Sequence, residues 1–277
     1  MLVLIVVGCS AGGGGPASPT DVTVTANPGF ITVSWSYSGQ AVTGFTIFRD
    51  TAMTTGLTTQ QLAAIGTAGA TERSYEDTTA VPGTSYSYAV RADGEGGSSG
   101  LVESAAPVEA IQDPRVIDDT ISNWGGGTAD LVARIGFPST AIAQGTVAAD
   151  WKIALTLPAT VSDELLDDLG TCDDSPTWTV TPENARFALL DEIAAEDAGL
   201  FIGHVEQLSS DGSIAVTRLY FDVATKIEGT CEGAIFQIDA PQGWSLLELE
   251  LPETGPDAIS YKTVTYTDVP WEFFPVF

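Results

Sequence analysis

The chain contains a single histidine, His204, so any mechanism that depends on a histidine base must use this residue. His204 lies in the segment LFIGHVEQL, where strand alternation would place it on one face with Ile202 and Glu206. A histidine in such a strand is more often a packed structural side chain than a base. We therefore interpret His204 as structural and identify no catalytic residue in the chain.

Acidic side chains form local pairs that could coordinate calcium, a cation that prefers carboxylate and carbonyl oxygens. These pairs are Asp118-Asp119, Asp167-Asp168 and Asp173-Asp174, and none follows the D-x-D-x-D-G calcium loop. We take Asp173 and Asp174 as the candidate calcium site, with a solvated loop as the alternative, and the sequence indicates no other cofactor. Glycosidases also use paired carboxylates, but among 37 acidic residues no pair stands out.

The first ten residues, MLVLIVVGCS, place a short apolar run directly before Cys9. The segment Val6-Val7-Gly8-Cys9 resembles the end of a bacterial lipoprotein signal peptide. The resemblance implies that residues 1–9 form the signal segment and that Cys9 is lipidated. Residues 10–18 would then be a flexible tether, rich in Gly, Ser, Pro and Ala. We therefore expect a lipid-anchored protein in a bacterial cell envelope, outside the cytoplasmic membrane, in the periplasm or at the cell surface. The alternative is an N-terminal strand that ends at an ordinary core cysteine.

The other two cysteines, Cys172 and Cys231, form an even pair in a chain expected to fold in an oxidising compartment. Each lies at the edge of a predicted strand, where neighbouring loops can meet. No third ligand at metal-like spacing accompanies them, which argues against zinc. We therefore predict a disulfide between Cys172 and Cys231.

Four tryptophans lie near turns or at the ends of strand-like runs: Trp124, Trp178, Trp244 and Trp271. If their rings were exposed in a row, they would favour stacking on the sugar rings of a glycan. Burial in the core is the more common fate of such residues and would favour a structural role.

The charge of the chain limits its partners. It carries 37 acidic and 10 basic residues, for a net charge of −27, and residues 111–277 hold 28 of the acids. Proteins bind nucleic acids through Lys and Arg, and an acidic surface repels phosphates, so we exclude nucleic acid as a partner. The hydrophobic content of 44% indicates a folded chain.

From Ala17 the chain consists of seven short alternating runs separated by turn residues, a pattern typical of an all-β sandwich. In the run FITVSWS, Ile31, Val33 and Trp35 share one face, which predicts that Trp35 lies at the centre of a core.

Several segments of this region resemble the fibronectin type III pattern. They are TVSW at 32–35, TGFTIFR at 43–49, Tyr75 with Asp77, and PGTSYSYAVRA at 82–92. The resemblance implies a two-sheet, seven-stranded sandwich over residues 19–108. It also implies a tyrosine corner at Tyr86, whose hydroxyl would bond the backbone of the preceding turn. In exported bacterial proteins this module is usually a spacer or a weak binding platform.

Residues 109–127 contain Pro114 and a glycine triplet and are predicted to be a linker. Residues 128–277 are predicted to form an acidic β-rich domain, either a second β-sandwich-like fold or a compact β-barrel. It loosely resembles β-modules of bacterial envelope lipoproteins.

Three local predictions concern this second domain. Alternation in one run places Trp151 on the same face as Ile153, Leu155 and Leu157. Ser162–Leu169 is the clearest helical candidate, because Ser162 could cap a first turn that contains acids. The segment 182–197 allows a helix or a strand, and we favour a strand over Arg186–Ile193.

Two hypotheses about function remain. The first is a non-enzymatic lipoprotein that presents a binding or scaffold domain on a fibronectin type III spacer, for adhesion or for a glycan or protein partner. The second is a hydrolase of extracellular polymers, which would need a cleft with converging carboxylates.

Overall fold

The computed structural model describes residues 15–51, 62–136, 138–172, 177–252 and 259–276. Regular structure in these residues consists of β-strands and one 3-10 turn, Asp163–Leu165, so the chain is all-β as predicted. The described residues include no helix with the length and apolar composition that crossing a bilayer requires. The chain divides into two compact units, Met1–Ile111 (unit 1) and Gln112–Phe277 (unit 2).

Unit 1 contains the strands β1 (Thr20–Asn27), β2 (Phe30–Ser36), β3 (Gly44–Asp50), β4 (Ala63–Gly69), β5 (Ser74–Asp77), β6 (Ser85–Gly94), β7 (Gly97–Ser98), β8 (Val102–Glu103) and β9 (Val108–Glu109). One sheet has the order β1-β2-β5, and the other has the order β4-β3-β6 with β7, β8 and β9 along β6. The predicted sandwich is thus present, although its seventh strand is divided into three short pairings.

The core of unit 1 follows from the alternation in β2. Ile31 and Val33 are completely buried and Trp35 is 4% exposed, while the intervening residues face outward. The Trp35 ring packs against Phe45 of the other sheet, with the ring centroids 5.1 Å apart. Trp35 therefore joins the two sheets, as predicted.

Tyr86 forms the predicted tyrosine corner. Its hydroxyl oxygen accepts a hydrogen bond from the backbone N–H of Val81, at 3.1 Å, in the turn before β6. The guanidinium of Arg49 lies 4.6 Å from the centroid of the Tyr86 ring. This arrangement fixes the start of β6 to the turn that precedes it and to Arg49 of the neighbouring strand β3.

Asp77, at the end of β5, is a buried carboxylate with several donors. It forms an ion pair with Arg49 at 2.7 Å and accepts hydrogen bonds from Thr79 and from the Tyr88 hydroxyl. Desolvation alone would raise the pKa of Asp77, but the hydrogen bonds from Thr79, Tyr88 and Arg49 outweigh it and hold the pKa below its usual value. The charged form is therefore favoured in the folded unit.

This network predicts a pH dependence for unit 1. Because the folded pKa of Asp77 is depressed, its contribution to stability is present above its unfolded pKa, about 4, and is lost as pH falls through the folded value. Asp77→Asn should lower the free energy of unfolding of unit 1 by about 2 kcal/mol at neutral pH. Urea unfolding followed by NMR of unit 1 methyl groups checks this, and equal stability of the two proteins at pH 7 would contradict it.

Unit 2 contains the strands β10 (Val116–Thr120), β11 (Ala129–Ile135), β12 (Thr140–Val147), β13 (Lys152–Thr156), β14 (Asp167–Asp168), β15 (Thr179–Thr181), β16 (Arg186–Asp197), β17 (Leu200–Leu208), β18 (Ile214–Phe221), β19 (Thr225–Cys231), β20 (Ala234–Ala240), β21 (Gly243–Glu250), β22 (Ser260–Val264) and β23 (Trp271–Pro275). They form one continuous sheet in which neighbouring strands are mostly antiparallel.

Part of this sheet closes on itself. The strands follow the order β10-β13-β12-β11-β16-β17, and β23 pairs with β17. A bridge between Ile121 and Trp271 then returns to the end of β10, supported by a hydrogen bond from the Ser122 N–H to the Trp271 carbonyl. The largest apolar cluster, which includes Leu131, Ile153 and Trp271, fills this ring. The ring corresponds to the compact barrel that the sequence allows.

The remaining strands extend the sheet beyond the ring and curl around a second apolar cluster, which includes Phe221, Ile238 and Leu247. In β18, Tyr220 contributes to the first cluster and its neighbour Phe221 to the second. This explains why consecutive residues of β18 are buried, since a strand covered on both faces loses its polar alternation.

The predicted disulfide is present: Cys172 and Cys231 are bonded, with their Cα atoms 5.7 Å apart. Cys231 ends β19 and Cys172 follows the segment after β14. The bond therefore connects two parts of unit 2 that are 59 residues apart in sequence.

The structure differs from the predicted linker over residues 109–127. From Gln112 onward these residues belong to unit 2, where β10 pairs with β13, and Ile117, Ile121 and Trp124 are buried in the main cluster. Pro114 and the glycine triplet indicated a linker, but they flank the short strand β10, and the apolar residues of this segment pack against residues far along the chain.

Two further local predictions are decided by tertiary pairing. The predicted helix Ser162–Leu169 is wrong: it contains only the 3-10 turn, and Ser162 makes no side-chain capping bond. Asp167 and Asp168 instead pair with β16 as the short strand β14. The strand preferred over Arg186–Ile193 is confirmed and extends to Asp197 as β16.

Candidate functional site

A gap opens in the sheet of unit 2 where β17 and β18 diverge from β16. β16 pairs with β18 up to Leu189 and with β17 from Ala194. Between these points the residues 190–193 have no pairing to β17 or β18. On the facing strands, residues 205–206 of β17 and 217–218 of β18 likewise have no strand pairing across this opening. We call this opening the sheet gap.

Gly203 helps to create this geometry. β23 approaches the other edge of β17 so closely that a Cβ at Gly203 would overlap the carbonyl oxygen of Phe274. A register shift between Ala195 and Glu196 lies beside it in β16. The close pairing of β17 with β23 and the bulge in β16 both act at the point where the strands begin to separate.

A cavity of about 420 Å³ lies at the sheet gap. Its polar lining comes from Arg218, Gln207, Thr217, His204, Asp191, Glu192 and Glu206, and its apolar lining includes Leu190, Ile193, Val205 and Trp271. An apolar concave site with a few polar groups is the usual form of a small-molecule pocket, and this volume lies in the common range of about 300–1,000 Å³.

Arg218 is the most unusual residue of this lining, because it is 1% exposed and has no carboxylate partner among the described residues. Its Nη1 donates to the Gln207 side-chain oxygen, and its Nε donates to the Pro114 carbonyl at 3.4 Å. The Trp271 ring lies 4.8 Å from the guanidinium carbon. Its Nη2 has no hydrogen-bond partner in the described part of the chain.

Burial makes the guanidinium of Arg218 more acidic than a solvated arginine. Desolvation lowers the pKa of Arg218 to about 9. The side chain therefore remains positively charged at neutral pH, in a protein whose net charge is −27. A buried charge with an unused donor is unfavourable for folding and favourable for binding an anion.

The carboxylates of the cavity are already engaged. The Asp191 carboxylate accepts the backbone N–H of Gly136, Glu192 lies 4.0 Å from Arg134, and Glu206 lies 3.3 Å from His204. Glu192 and Glu206 are 36% and 55% exposed. Together with the exposed Asp191 they form a solvated acidic rim beside the buried Arg218.

His204 lies beside the cavity but has a packing role. Its ring stacks on Phe274 of β23, with centroids 5.4 Å apart, and its Nε2 faces Glu206. It shares a face with Glu206, as the alternation predicts. The segment at 96–100 matches the spacing G-x-S-x-G, yet Gly97 and Ser98 form a hairpin strand in unit 1 and not the strand-to-helix turn of a nucleophile elbow.

The tryptophans do not form an exposed row. Trp124, Trp244 and Trp271 are 1%, 4% and 3% exposed, and Trp178 is half-buried against Phe236. Trp151 is 43% exposed in the turn before β13, so its predicted place beside Ile153 and Leu155 is wrong. A positive φ of 71° at Trp151 turns the backbone before the strand begins.

Two predicted sites fall outside the described residues: the lipidation site Cys9 and the calcium ligands Asp173 and Asp174. Within the described ranges no group of three or more His, Cys, Asp or Glu side chains is arranged to hold a metal ion. Sequence reasoning did not identify Arg218 as a site residue. One feature could have pointed to it: Arg218 is a charged residue inside the mostly apolar strand IAVTRLYF, which does not alternate between apolar and polar residues.

No protein-family model matches the chain, and no curated protein matches it. Among solved structures, FN3tt is 20% identical, with a match that covers 36% of this chain and 98% of that one at a TM-score of 0.29. A Fn3-like protein from Clostridium thermocellum is 22% identical, with coverages of 32% and 88% and a TM-score of 0.28. The FN1-FN3 domains of chicken CNTN1 are 10% identical, with coverages of 95% and 99% and a TM-score of 0.31. By its own strand order, unit 1 is a two-sheet antiparallel sandwich, the fold that the fibronectin type III resemblance implies.

Proposed function

We propose that the protein is a non-enzymatic lipoprotein of the bacterial cell envelope, in which unit 2 binds a ligand and unit 1 serves as a fibronectin type III spacer. Lipid at Cys9 would hold it outside the cytoplasmic membrane, and the partner would be a glycan or a protein at the cell surface. The observation that carries the binding role is the cavity at the sheet gap, with the buried Arg218 in its lining.

The binding role can be tested by filling the cavity. Ala215 of β18 lines the cavity, so Ala215→Phe should block entry without changing the charge of the protein. Ala141→Phe provides the matched control, because Ala141 is exposed on β12 and lies outside the cavity lining. Arrays of glycans and peptides probed with the full chain should give signals that Ala215→Phe loses and Ala141→Phe keeps. Signals that both variants keep would refute this binding site.

The anchor has its own test. Expression of the complete gene in a bacterial host with an alkyne fatty acid should label the wild-type protein and leave Cys9→Ser unlabelled and released from the membrane fraction. If Cys9→Ser stays equally membrane-bound, the lipoprotein assignment is wrong, whatever the binding experiment gives.

A second candidate function is polymer hydrolysis, favoured by the three carboxylates in the cavity lining, Asp191, Glu192 and Glu206. A general acid in such enzymes is usually held in a dry, apolar setting. Here two of the carboxylates are substantially exposed and all three already have partners. Release of reducing ends from acidic or neutral polysaccharides, abolished by Glu206→Gln, would favour hydrolysis over binding alone.

A further inference from the structure

Arg218 differs from the other arginines of the described residues in its partners. Arg49, Arg91, Arg115, Arg134 and Arg186 each form an ion pair with a carboxylate, and the more exposed Arg73 donates to backbone carbonyls. Arg218 is the most deeply buried of them, yet its partners are a neutral amide, a carbonyl and an aromatic ring. The chain has 37 acidic residues, yet none of those in the described part pairs with Arg218.

The unused donor is a buried atom of a side chain that belongs to the cavity lining. Arg218 lines the cavity, and its Nη2 lacks a partner in the described part of the chain. An anion that reached it would gain a charge-assisted hydrogen bond in a desolvated environment, where such bonds are strongest. A carboxylate matches the planar guanidinium better than a spherical anion does.

The acidic rim restricts which carboxylate can bind. Asp191, Glu192 and Glu206 lie in the same cavity lining, and the protein as a whole is strongly negative. A ligand with several negative charges would be repelled on approach. A ligand that also carries a positive group would instead pair its carboxylate with Arg218 and its cation with this rim.

We propose that the cavity at the sheet gap binds a small zwitterionic ligand, one that bears a single carboxylate and a cationic amine. The carboxylate accepts hydrogen bonds from the guanidinium of Arg218, and the amine lies against Asp191, Glu192 or Glu206. The volume of about 420 Å³ accommodates a ligand of amino-acid or short-peptide size. This inference rests on the proposed binding role of the cavity and specifies the chemistry of its ligand.

The test uses three probes with the same six-carbon chain: 6-aminohexanoate, hexanoate and hexylamine. Calorimetric titration of the full-length protein should show that 6-aminohexanoate binds at least about 10-fold more tightly than either single-charge probe, because it uses both sets of contacts. Arg218→Met should reduce its affinity by about 10-fold or more and leave hexylamine binding unchanged. Glu206→Gln should weaken hexylamine and 6-aminohexanoate alike.

A structural role of Arg218 is separated from this one by two measurements. Arg218→Met removes a buried charge and should melt at the same temperature as wild type or higher. In the wild-type protein, the guanidinium ¹⁵N signal of Arg218 should shift on addition of 6-aminohexanoate and stay in place with hexylamine.

Two results would overturn the inference. The first is equal binding of 6-aminohexanoate and hexylamine, with no shift of the Arg218 signal. The second is no binding of any of the three probes while array ligands still bind and are lost in Ala215→Phe. That second result would leave the proposed binding function intact, whereas array signals insensitive to Ala215→Phe would remove the function itself.

Discussion

Replacing Trp35 by alanine is expected to lower the free energy of unfolding of unit 1 by about 3–5 kcal/mol. Trp35 is 4% exposed and packs against Phe45 of the opposite sheet, so the substitution leaves a cavity between the two sheets. A loss of this size is a large part of the stability of an ordinary domain, about 5–15 kcal/mol. Unit 1 should therefore lose much of its stability and unfold at a clearly lower temperature than in the wild-type protein.

Hydrogen exchange followed by mass spectrometry measures this effect in the full chain, because peptides from each unit are observed separately. Protection should fall in β2, β3 and β6 and remain in unit 2. Trp35→Phe is the matched control and should lose much less, since it keeps a ring against Phe45 and removes an indole N–H that has no partner in the described residues. Unchanged protection of β2 in Trp35→Ala would show that the ring does not hold the core together.

Unit 1 could be predicted from the sequence because its signals are local. Alternation in FITVSWS assigned the buried face, and the resemblance of PGTSYSYAVRA to the fibronectin type III pattern implied the tyrosine corner at Tyr86. β2 has one apolar and one polar face, which makes period-2 alternation a reliable guide there. The final strand was less predictable, because β7, β8 and β9 each pair with β6 through only two residues.

Unit 2 was harder because its order depends on contacts between distant residues. β12 (TAIAQGTV) is rich in small residues, and β10 (VIDDT) is short and contains two acids, so neither has a clear strand pattern. Both are strands because β13 pairs with them. Trp271, which lies next to a proline, becomes a core residue through its pairing with Gln207 of β17 and its bridge to Ile121, 150 residues earlier in the chain.

The candidate site could not have been predicted for the same reason. The sheet gap exists because β16 changes its partner from β18 to β17, and no feature of any one of these strands encodes that change. The disulfide, by contrast, was predictable, because its prediction required only an even pair of cysteines in a chain expected to fold in an oxidising compartment.

Removal of this disulfide, by Cys172→Ala together with Cys231→Ala, should lower the free energy of unfolding of unit 2 by about 4 kcal/mol. The estimate follows from the entropy that the unfolded chain regains when a loop of 59 residues is no longer closed. The loss should be larger at low ionic strength, because residues 111–277 carry 28 acidic and 7 basic side chains, and the bond opposes their mutual repulsion.

Urea unfolding followed by tryptophan fluorescence measures this loss, since all tryptophans except Trp35 belong to unit 2. Titrations at about 20 mM and about 500 mM salt span a Debye length from well above to well below 10 Å, so they separate screened from unscreened repulsion. The unfolding midpoint of the double variant should shift to a lower urea concentration at both salt concentrations, and the shift should be larger at low salt. Wild-type protein with its disulfide reduced should behave like the double variant, which controls for the change in side-chain volume. A double variant that unfolds at the wild-type urea concentration would show that the bond does not stabilise unit 2, and an equal loss at both salt concentrations would show that it does so without opposing charge repulsion.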